Sequence, residues 1–259
     1  MKKLRIIFGT KCNLNCKYCY QSHSNDEISY EVLDKIIENI NNSNEEFFIH
    51  LFGGEPLLYL DKIFYLLDRI KYKKHTFCIS TNGVLKENFK KLENKLGYPV
   101  LNLLSNKENK DYSKLNEKSA FRWIATKDNL DELEKKVDWL IKEYGNNFSI
   151  YCNFYEKWTT QDLERINKLE GKGIKILKPQ YNNSFPCNSI NITTVNWNGD
   201  LLLCHRKLDS IIGNIFNDNL KESSNKECVF KDDIKRNFLL KNNDTDTRSL
   251  CEQDIVFYC

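Results

Sequence analysis

Cys12, Cys16 and Cys19 fall within the stretch Lys11 to Tyr20, KCNLNCKYCY, which spaces three thiols as Cys-x3-Cys-x2-Cys directly after an apolar run. Thiolates are the natural ligands of iron–sulfur clusters, and closely spaced cysteines in a loop can wrap the corners of one cube. Three ligands leave one iron of a four-iron cluster open, and an open position can chelate a small molecule, as it does in catalytic zinc sites. Two duller uses of the same thiols stand beside this one. One is a zinc site with a fourth ligand such as His23, since zinc also takes short cysteine spacings. The other is a disulfide, although disulfide frameworks belong to small secreted chains.

Such a loop must be held by something rigid, and the periodicity of the chain supplies it. Leu4 to Gly9 is an apolar run of strand length that ends just before the cysteines. Ser29 offers an N-cap to a helix carrying Val32, Leu33, Ile36, Ile37 and Ile40 at helical spacing. Strand and helix then alternate: Phe47 to Phe52, the helix of Leu60 to Ile70, Thr76 to Ser80, Lys86 to Leu96, and Val100 to Leu104. A polar connection from Asn106 to Lys118 follows, read as a solvated loop. Next come Phe121 to Ala125, a helix capped by Asn129 with Leu133, Val137, Leu140, Ile141 and Tyr144 on one face, and Phe148 to Phe154. A shorter helix, Gln161 to Leu169, and a run at Ile174 to Leu177 complete this part.

Strands separated by helices imply βαβ crossovers and a parallel sheet, and parallel α/β folds place their chemistry at the C-terminal ends of the strands. Six such units are too few for a closed eight-stranded barrel, so the expected architecture is α/β, an open, partial (β/α)6 TIM-like barrel. The cysteine loop follows strand one, Gly53-Gly54-Glu55-Pro56 follows strand two, and Ser80-Thr81-Asn82-Gly83 ends strand three. All three therefore meet on one rim. Gly53 and Gly54 let a ligand approach the backbone closely, and Glu55 can accept from a cationic amine. Read alone, these segments are also ordinary turns and strand-end caps.

The cysteine array, with Tyr18 just before its third member, resembles the signature of the radical S-adenosylmethionine (radical SAM) superfamily. The resemblance implies a core 4Fe-4S cluster on Cys12, Cys16 and Cys19. Its open iron would take the amino and carboxylate groups of S-adenosylmethionine, and one electron would cleave that molecule to a 5'-deoxyadenosyl radical. It further implies that Gly53, Gly54 and Glu55 hold the amino group, that Ser80 and Asn82 meet the ribose and methionine portions, and that Ser105 and Arg122 meet the methionyl carboxylate, which an arginine matches bidentately. Arg122 falls early in its strand, where a surface ion pair is the other reading. Cys78 and Cys152 read as small core residues.

The tail from Pro179 carries a second pattern. Cys187, eleven residues, Gly199, four residues and Cys204 resemble the opening of the SPASM and twitch extensions of radical SAM enzymes. Between the cysteines, Ile192 to Cys204 reads as a hairpin turned by Asn198-Gly199. Ile212-Gly213-Asn214-Ile215 also resembles the segment that usually follows. The implied division is a core at 1–178 and a small C-terminal β-hairpin plus helix extension at 179–259. By the same resemblance Cys187, Cys204, Cys251 and Cys259 would hold one auxiliary 4Fe-4S cluster, with Cys228 in reserve. The chain departs from a complete SPASM pattern, with Asp254 where a further cysteine would fall. His205 and Arg206 follow a ligand candidate, either tuning the cluster through outer contacts or simply solvated. His23, His50 and His75 belong to no constellation legible in the sequence.

At 259 residues, with 41% hydrophobic content and a net charge of +3 from nearly balanced acids and bases, the chain suits a packed α/β domain and gives no case for nucleic acid or an anionic membrane. It holds no run of 18 apolar residues and no signal peptide, so a cytoplasmic location is expected, where ten cysteines point to metal or catalysis. An electron donor of the flavodoxin or ferredoxin type would be needed. SPASM and twitch relatives mostly modify peptides by thioether or carbon–carbon crosslinking or epimerisation, which makes a peptide the favoured substrate. Because the first strand starts at residue 4, a separate leader-peptide-binding protein or direct capture by the rim would be required. The alternatives are dehydrogenation of a small carbohydrate-like molecule and a non-enzymatic zinc or iron–sulfur binding module; a glycyl-radical activating enzyme fits less well.

Overall fold

The computed structural model describes residues 1–105, 111–153, 156–177 and 192–220. Its centre is a single sheet of ten strands. The strands are β1 (Lys2–Ile7), β2 (Phe47–Phe52), β3 (Thr76–Ser80), β4 (Leu101–Ser105), β5 (Ser119–Ala125), β6 (Phe148–Cys152), β7 (Lys175–Leu177), β8 (Ile192–Val195), β9 (Asp200–Cys204) and β10 (Lys207–Asn214). The helices between them are α1 (Tyr30–Asn41), α2 (Leu60–Arg69), α3 (Lys86–Leu96), α4 (Leu130–Tyr144) and α5 (Thr160–Glu170). Their order in the sheet is β10-β9-β8-β1-β2-β3-β4-β5-β6-β7, with β1 to β7 parallel neighbour to neighbour. This is the expected partial barrel, with the short β7 added as a seventh parallel strand.

Alternation along the strands sorts side chains between two faces. Leu4, Ile6, Ile49, Leu51, Phe77 and Ile79 join α1 to α3 in one buried cluster. Phe121, Trp123, Phe148 and Ile150 join α4 and α5 in a second. The intervening positions point the other way, and there the chemistry collects. α1 and α5 begin at side-chain caps. Ser29 Oγ accepts from Val32 N at 3.2 Å, and Thr159 forms a capping box with Asp162. Asn129 corrects the expected cap of α4. Its side chain accepts from Thr126 N at 2.9 Å and donates to Ile124 O, so it closes the short turn Lys127–Asn129 rather than capping α4 itself.

The tail hairpin is not a free-standing appendage. β8 pairs parallel with β1, Arg5 standing opposite Thr194, and β9 and β10 continue the sheet antiparallel beyond it. Gly199 turns the hairpin with φ 83°, a conformation that favours glycine, and its nitrogen donates to Asn196 O at 3.1 Å. Among the described residues no helix follows β10, and the expected boundary at 178 lies outside them. The sheet also curves. Arg206, just past β9, hydrogen-bonds the hydroxyl of Tyr151 on β6, although six strands separate β9 from β6 in the sheet order. The tail therefore reaches across the barrel mouth. Among the described residues, no helix is long and apolar enough to cross a membrane.

Candidate functional site

The cysteine loop is fixed from three directions. Gly54 N donates to Gly9 O at 3.0 Å and Glu55 N to Lys11 O at 2.9 Å, so the turn after β2 is stitched to the loop after β1. Lys11 N donates to the Tyr59 hydroxyl at 2.9 Å, and that hydroxyl donates on to Asp26 O at 3.2 Å. Within the loop, Cys19 N donates to Cys16 O at 2.9 Å and Leu14 N to Cys12 Sγ at 3.4 Å.

Gly54 has to be glycine for a steric reason. A Cβ there would stand 2.4 Å from the backbone carbonyl oxygens of both Thr10 and Lys11. Backbone oxygens cannot swing aside as a flexible side chain would, so Gly54→Ala must push the cysteine loop off the turn. The expected result is iron loading after anaerobic reconstitution at well under half that of the wild-type chain, with a destabilisation of about 1–3 kcal/mol. Unchanged iron loading would show that the stitch does not shape the loop.

Cys12, Cys16 and Cys19 line one cavity of about 210 Å³ together with Tyr18, Gly53, Gly54, Ser80, Asn82, Ser105 and Arg122. Every site residue expected in the core thus lies on this cavity except Glu55. Its side chain is fully buried behind the wall: Oε1 accepts from Leu57 N at 3.1 Å and from Thr81 Oγ1 at 2.8 Å, and Oε2 accepts from Asn82 N at 2.8 Å. Asn82 in turn donates from Nδ2 to Asn13 Oδ1 at 2.7 Å and faces Cys12 Sγ at 3.8 Å. Glu55 therefore joins the turn after β2 to the turn after β3 and orients Asn82 against the cysteine loop. Ser105 and Arg122 are direct partners in the β4–β5 register, and the Ser105 hydroxyl meets that of Tyr18 at 3.3 Å.

The thiols form a suitable donor set. Burial pushes the Cys12 thiol up, opposed by the hydrogen bond from Leu14 N and then raised again by Glu55 and Cys16. Burial likewise raises Cys19, opposed by a backbone hydrogen bond and then raised by Cys12 and Cys16. Thiolates gathered this closely repel one another, and a cationic iron–sulfur core would relieve that repulsion. Cys19 Sγ lies 3.5 Å from His23 Nε2, the pair a zinc reading requires. However, among the described residues no three side chains of the His, Cys, Asp or Glu types stand close enough to share a single ion. Cys78 and Cys152 are fully buried, as core residues. Cys204 ends β9 and is buried at 4% exposure, while Cys187, Cys228, Cys251 and Cys259 lie outside the described residues.

The inner face also holds residues that carried no recognisable motif. Arg5 on β1 is buried and donates from Nε to His50 Nδ1 at 3.1 Å, and its Nη1 meets His205 Nδ1. A guanidinium only donates, so both imidazoles accept at Nδ1 and carry their proton on Nε2. His50 consequently donates from Nε2 to Ser80 Oγ at 2.8 Å, which leaves the Ser80 proton for another acceptor. Burial, followed by Arg5, Arg206, His50 and Arg122, holds His205 well below the ordinary histidine range, which keeps it neutral. The expectation of a solvated His205 is thus overturned at 5% exposure. A signal for Arg5 was present, since a charge inside the apolar run LRIIFG must face something other than the core.

Residues 6–169 match the family described as Radical SAM superfamily. The chain is 34% identical over 107 residues to the radical SAM cyclopropyl synthase TigE of Paramaledivibacter caminithermalis, a match covering 33% of this chain and 23% of that enzyme, so the chain spans only about a quarter of that relative. It is 26% identical to the uncharacterized protein MJ0907 of Methanocaldococcus jannaschii over 93% of this chain and 97% of that one. Among solved structures, anSMEcpe with bound AdoMet superposes with a TM-score of 0.62 at 18% identity, covering 85% of this chain and 79% of that one. Streptococcus suis SuiB does so with a TM-score of 0.54 at 18% identity, covering 84% and 64%.

Proposed function

The chain belongs to the radical SAM superfamily, a family of enzymes, and we propose that it uses the cavity described above to bind S-adenosylmethionine beside a 4Fe-4S cluster and to abstract hydrogen from a peptide. The observation that carries this reading is that the cysteine loop, the Gly53-Gly54 turn and Asn82 all line one cavity. A mere metal-binding module would have no use for the last two.

Cys12, Cys16 and Cys19 would hold the cluster, which supplies the electron that splits S-adenosylmethionine into methionine and the 5'-deoxyadenosyl radical. The surrounding residues position and protect. Gly53 and Gly54 present bare backbone at the cavity wall, where edge hydrogen bonds to the amino group would form. Glu55 acts from behind, fixing Asn82 toward the loop, and Ser80 offers the hydroxyl proton that the His50 bond leaves available. Arg122, beside Ser105, takes the methionyl carboxylate. Tyr18, whose hydroxyl burial pushes well above the ordinary tyrosine range, stays protonated and closes the wall by its contact with Ser105.

The peptide reading rests on the likeness of the tail to SPASM and twitch extensions. On that likeness we assign 1–178 to the core and 179–259 to the extension, and give Cys187, Cys204, Cys251 and Cys259 an auxiliary cluster. The reconstituted chain should then hold about eight irons, falling to about four when Cys187 and Cys204 are both replaced by alanine. Losing Cys259 should also lower the iron and make the last residues protease-sensitive, because metal binding and order are coupled. A wild-type chain holding only about four irons has no auxiliary cluster.

The substrate class is tested by isotope transfer. A short peptide encoded beside the gene, prepared with deuterated residues, should pass deuterium into 5'-deoxyadenosine and change in mass. Cleavage that continues without deuterium transfer from any such peptide would turn the reading toward a small carbohydrate-like substrate.

A further inference from the structure

His23 lies beside Cys19, yet among the described residues no third metal-binding side chain joins the pair to make a zinc site. Its Nε2 stands 3.5 Å from Cys19 Sγ, and among the described residues that sulfur is the ring's one hydrogen-bond partner. A sulfur that ligates iron carries no proton and can only accept. With the cluster in place, the contact is therefore an N–H···S bond, and His23 carries its proton on Nε2.

Cys12 is met in the same way from the turn after β3. Asn82 Oδ1 accepts from Val84 N at 3.0 Å, which an NH2 group could not do, so the opposite end of the amide is Nδ2. Nδ2 has two protons. It donates to Asn13 Oδ1 at 2.7 Å and reaches Cys12 Sγ at 3.8 Å, a sulfur that already accepts from Leu14 N at 3.4 Å. Glu55 Oε2 accepts from the backbone N of Asn82 at 2.8 Å, so this residue is held from behind by a buried carboxylate. Two of the three thiols thus have a side-chain N–H within hydrogen-bonding reach, one from the loop after β1 and one from the turn after β3.

An electron added to a thiolate-ligated cluster makes it more negative, and part of that charge falls on the sulfurs. A donor facing a sulfur stabilises the reduced state more than the oxidised one, so each N–H···S bond raises the reduction potential. We propose that His23 and Asn82 act through Cys19 and Cys12 to raise the reduction potential of the cluster, and so set how strong a reductant the chain needs. Both are positioning residues, since they work through the ligating sulfurs. The proposal rests on the radical SAM reading of the loop and adds what controls the entry of its electron. For Asn82 this role stands beside its expected contact with S-adenosylmethionine.

The test is an anaerobic redox titration of the reconstituted chain, followed by the electron paramagnetic resonance signal of the reduced cluster. It is run without S-adenosylmethionine, so that Asn82 acts on the cluster alone. The variant with alanine at positions 12, 16 and 19 identifies any signal that does not come from the core cluster. At a fixed potential, the ratio of reduced to oxidised cluster should fall about threefold to tenfold in His23→Phe, tenfold being a midpoint about 59 mV lower for one electron. Asn82→Leu, which removes the longer contact, should move the midpoint the same way by less. His23→Gln, whose amide also carries an N–H, should keep most of the wild-type midpoint. Asn15→Ala, exposed and neutral in the same loop, should leave it unchanged. Iron content checks that each variant is loaded, and His23→Gln with Asn82→Leu carries the test if His23→Phe takes up no iron. Unchanged midpoints in both His23→Phe and Asn82→Leu at full iron content overturn the proposal. A shift in His23→Gln as large as in His23→Phe overturns it for His23. The same samples assayed for 5'-deoxyadenosine separate the two levels. Cleavage with unshifted midpoints sinks this inference alone, whereas the expected shifts without any cleavage sink the functional reading and leave this inference standing. A wild-type chain that takes up no reducible cluster overturns both.

Discussion

Replacing Cys12, Cys16 and Cys19 together by alanine is expected to give a folded chain that has lost about four irons and forms no 5'-deoxyadenosine. The fold should survive because the three thiols sit in a partly exposed loop, apart from both buried clusters. The stitches from Gly54, Glu55 and Tyr59 grip the backbone of Gly9 and Lys11, which the substitution leaves in place. The lost activity should therefore come without a large change in melting temperature. A triple variant that still makes 5'-deoxyadenosine at the wild-type rate would place the chemistry elsewhere.

The second large effect is on stability. Glu55→Ala removes a fully buried carboxylate that answers Leu57 N, Thr81 Oγ1 and Asn82 N. Each buried donor left unanswered costs about 1–3 kcal/mol, and the losses are not fully additive, so a total of about 3–5 kcal/mol is expected. For a chain of this size that corresponds to a melting temperature lower by roughly 6–20 °C. Glu55→Gln should recover only part, since its amide presents a donor to one of the donors the carboxylate satisfied. Asn82 would lose its anchor, so weaker S-adenosylmethionine binding should accompany the stability loss in both variants. A shift of less than about 2 °C for Glu55→Ala would show that these bonds do not hold the rim.

The strands and helices of the core were legible because their buried faces repeat at period two or 3.6, and because Ser29 and the glycine turns mark local boundaries. The rim motifs were legible for a related reason: each is a short stretch whose position after a strand decides where it lies. What sequence could not give was contact across the barrel. Arg5 and His205 are 200 positions apart, and Arg206 and Tyr151 are 55 apart. No local pattern encodes the curvature that brings either pair together. The hairpin of the tail was legible from Asn198-Gly199, but turn chemistry does not name a neighbour, so its pairing with β1 appears only in the structure. Asn129 fell between the two cases. Its residue type marked a helix start, but its side chain found Thr126 and Ile124 instead. Glu55 was located correctly on the rim, yet its burial and its three partners depend on how closely the turn after β3 approaches.

The most direct test of the central claim is the fate of S-adenosylmethionine on the wild-type chain, reconstituted anaerobically with iron and sulfide and given a strong one-electron reductant. 5'-Deoxyadenosine and methionine are expected in equal amounts, dependent on both the iron and the reductant. A chain fully loaded with iron that leaves S-adenosylmethionine intact under those conditions would contradict that claim.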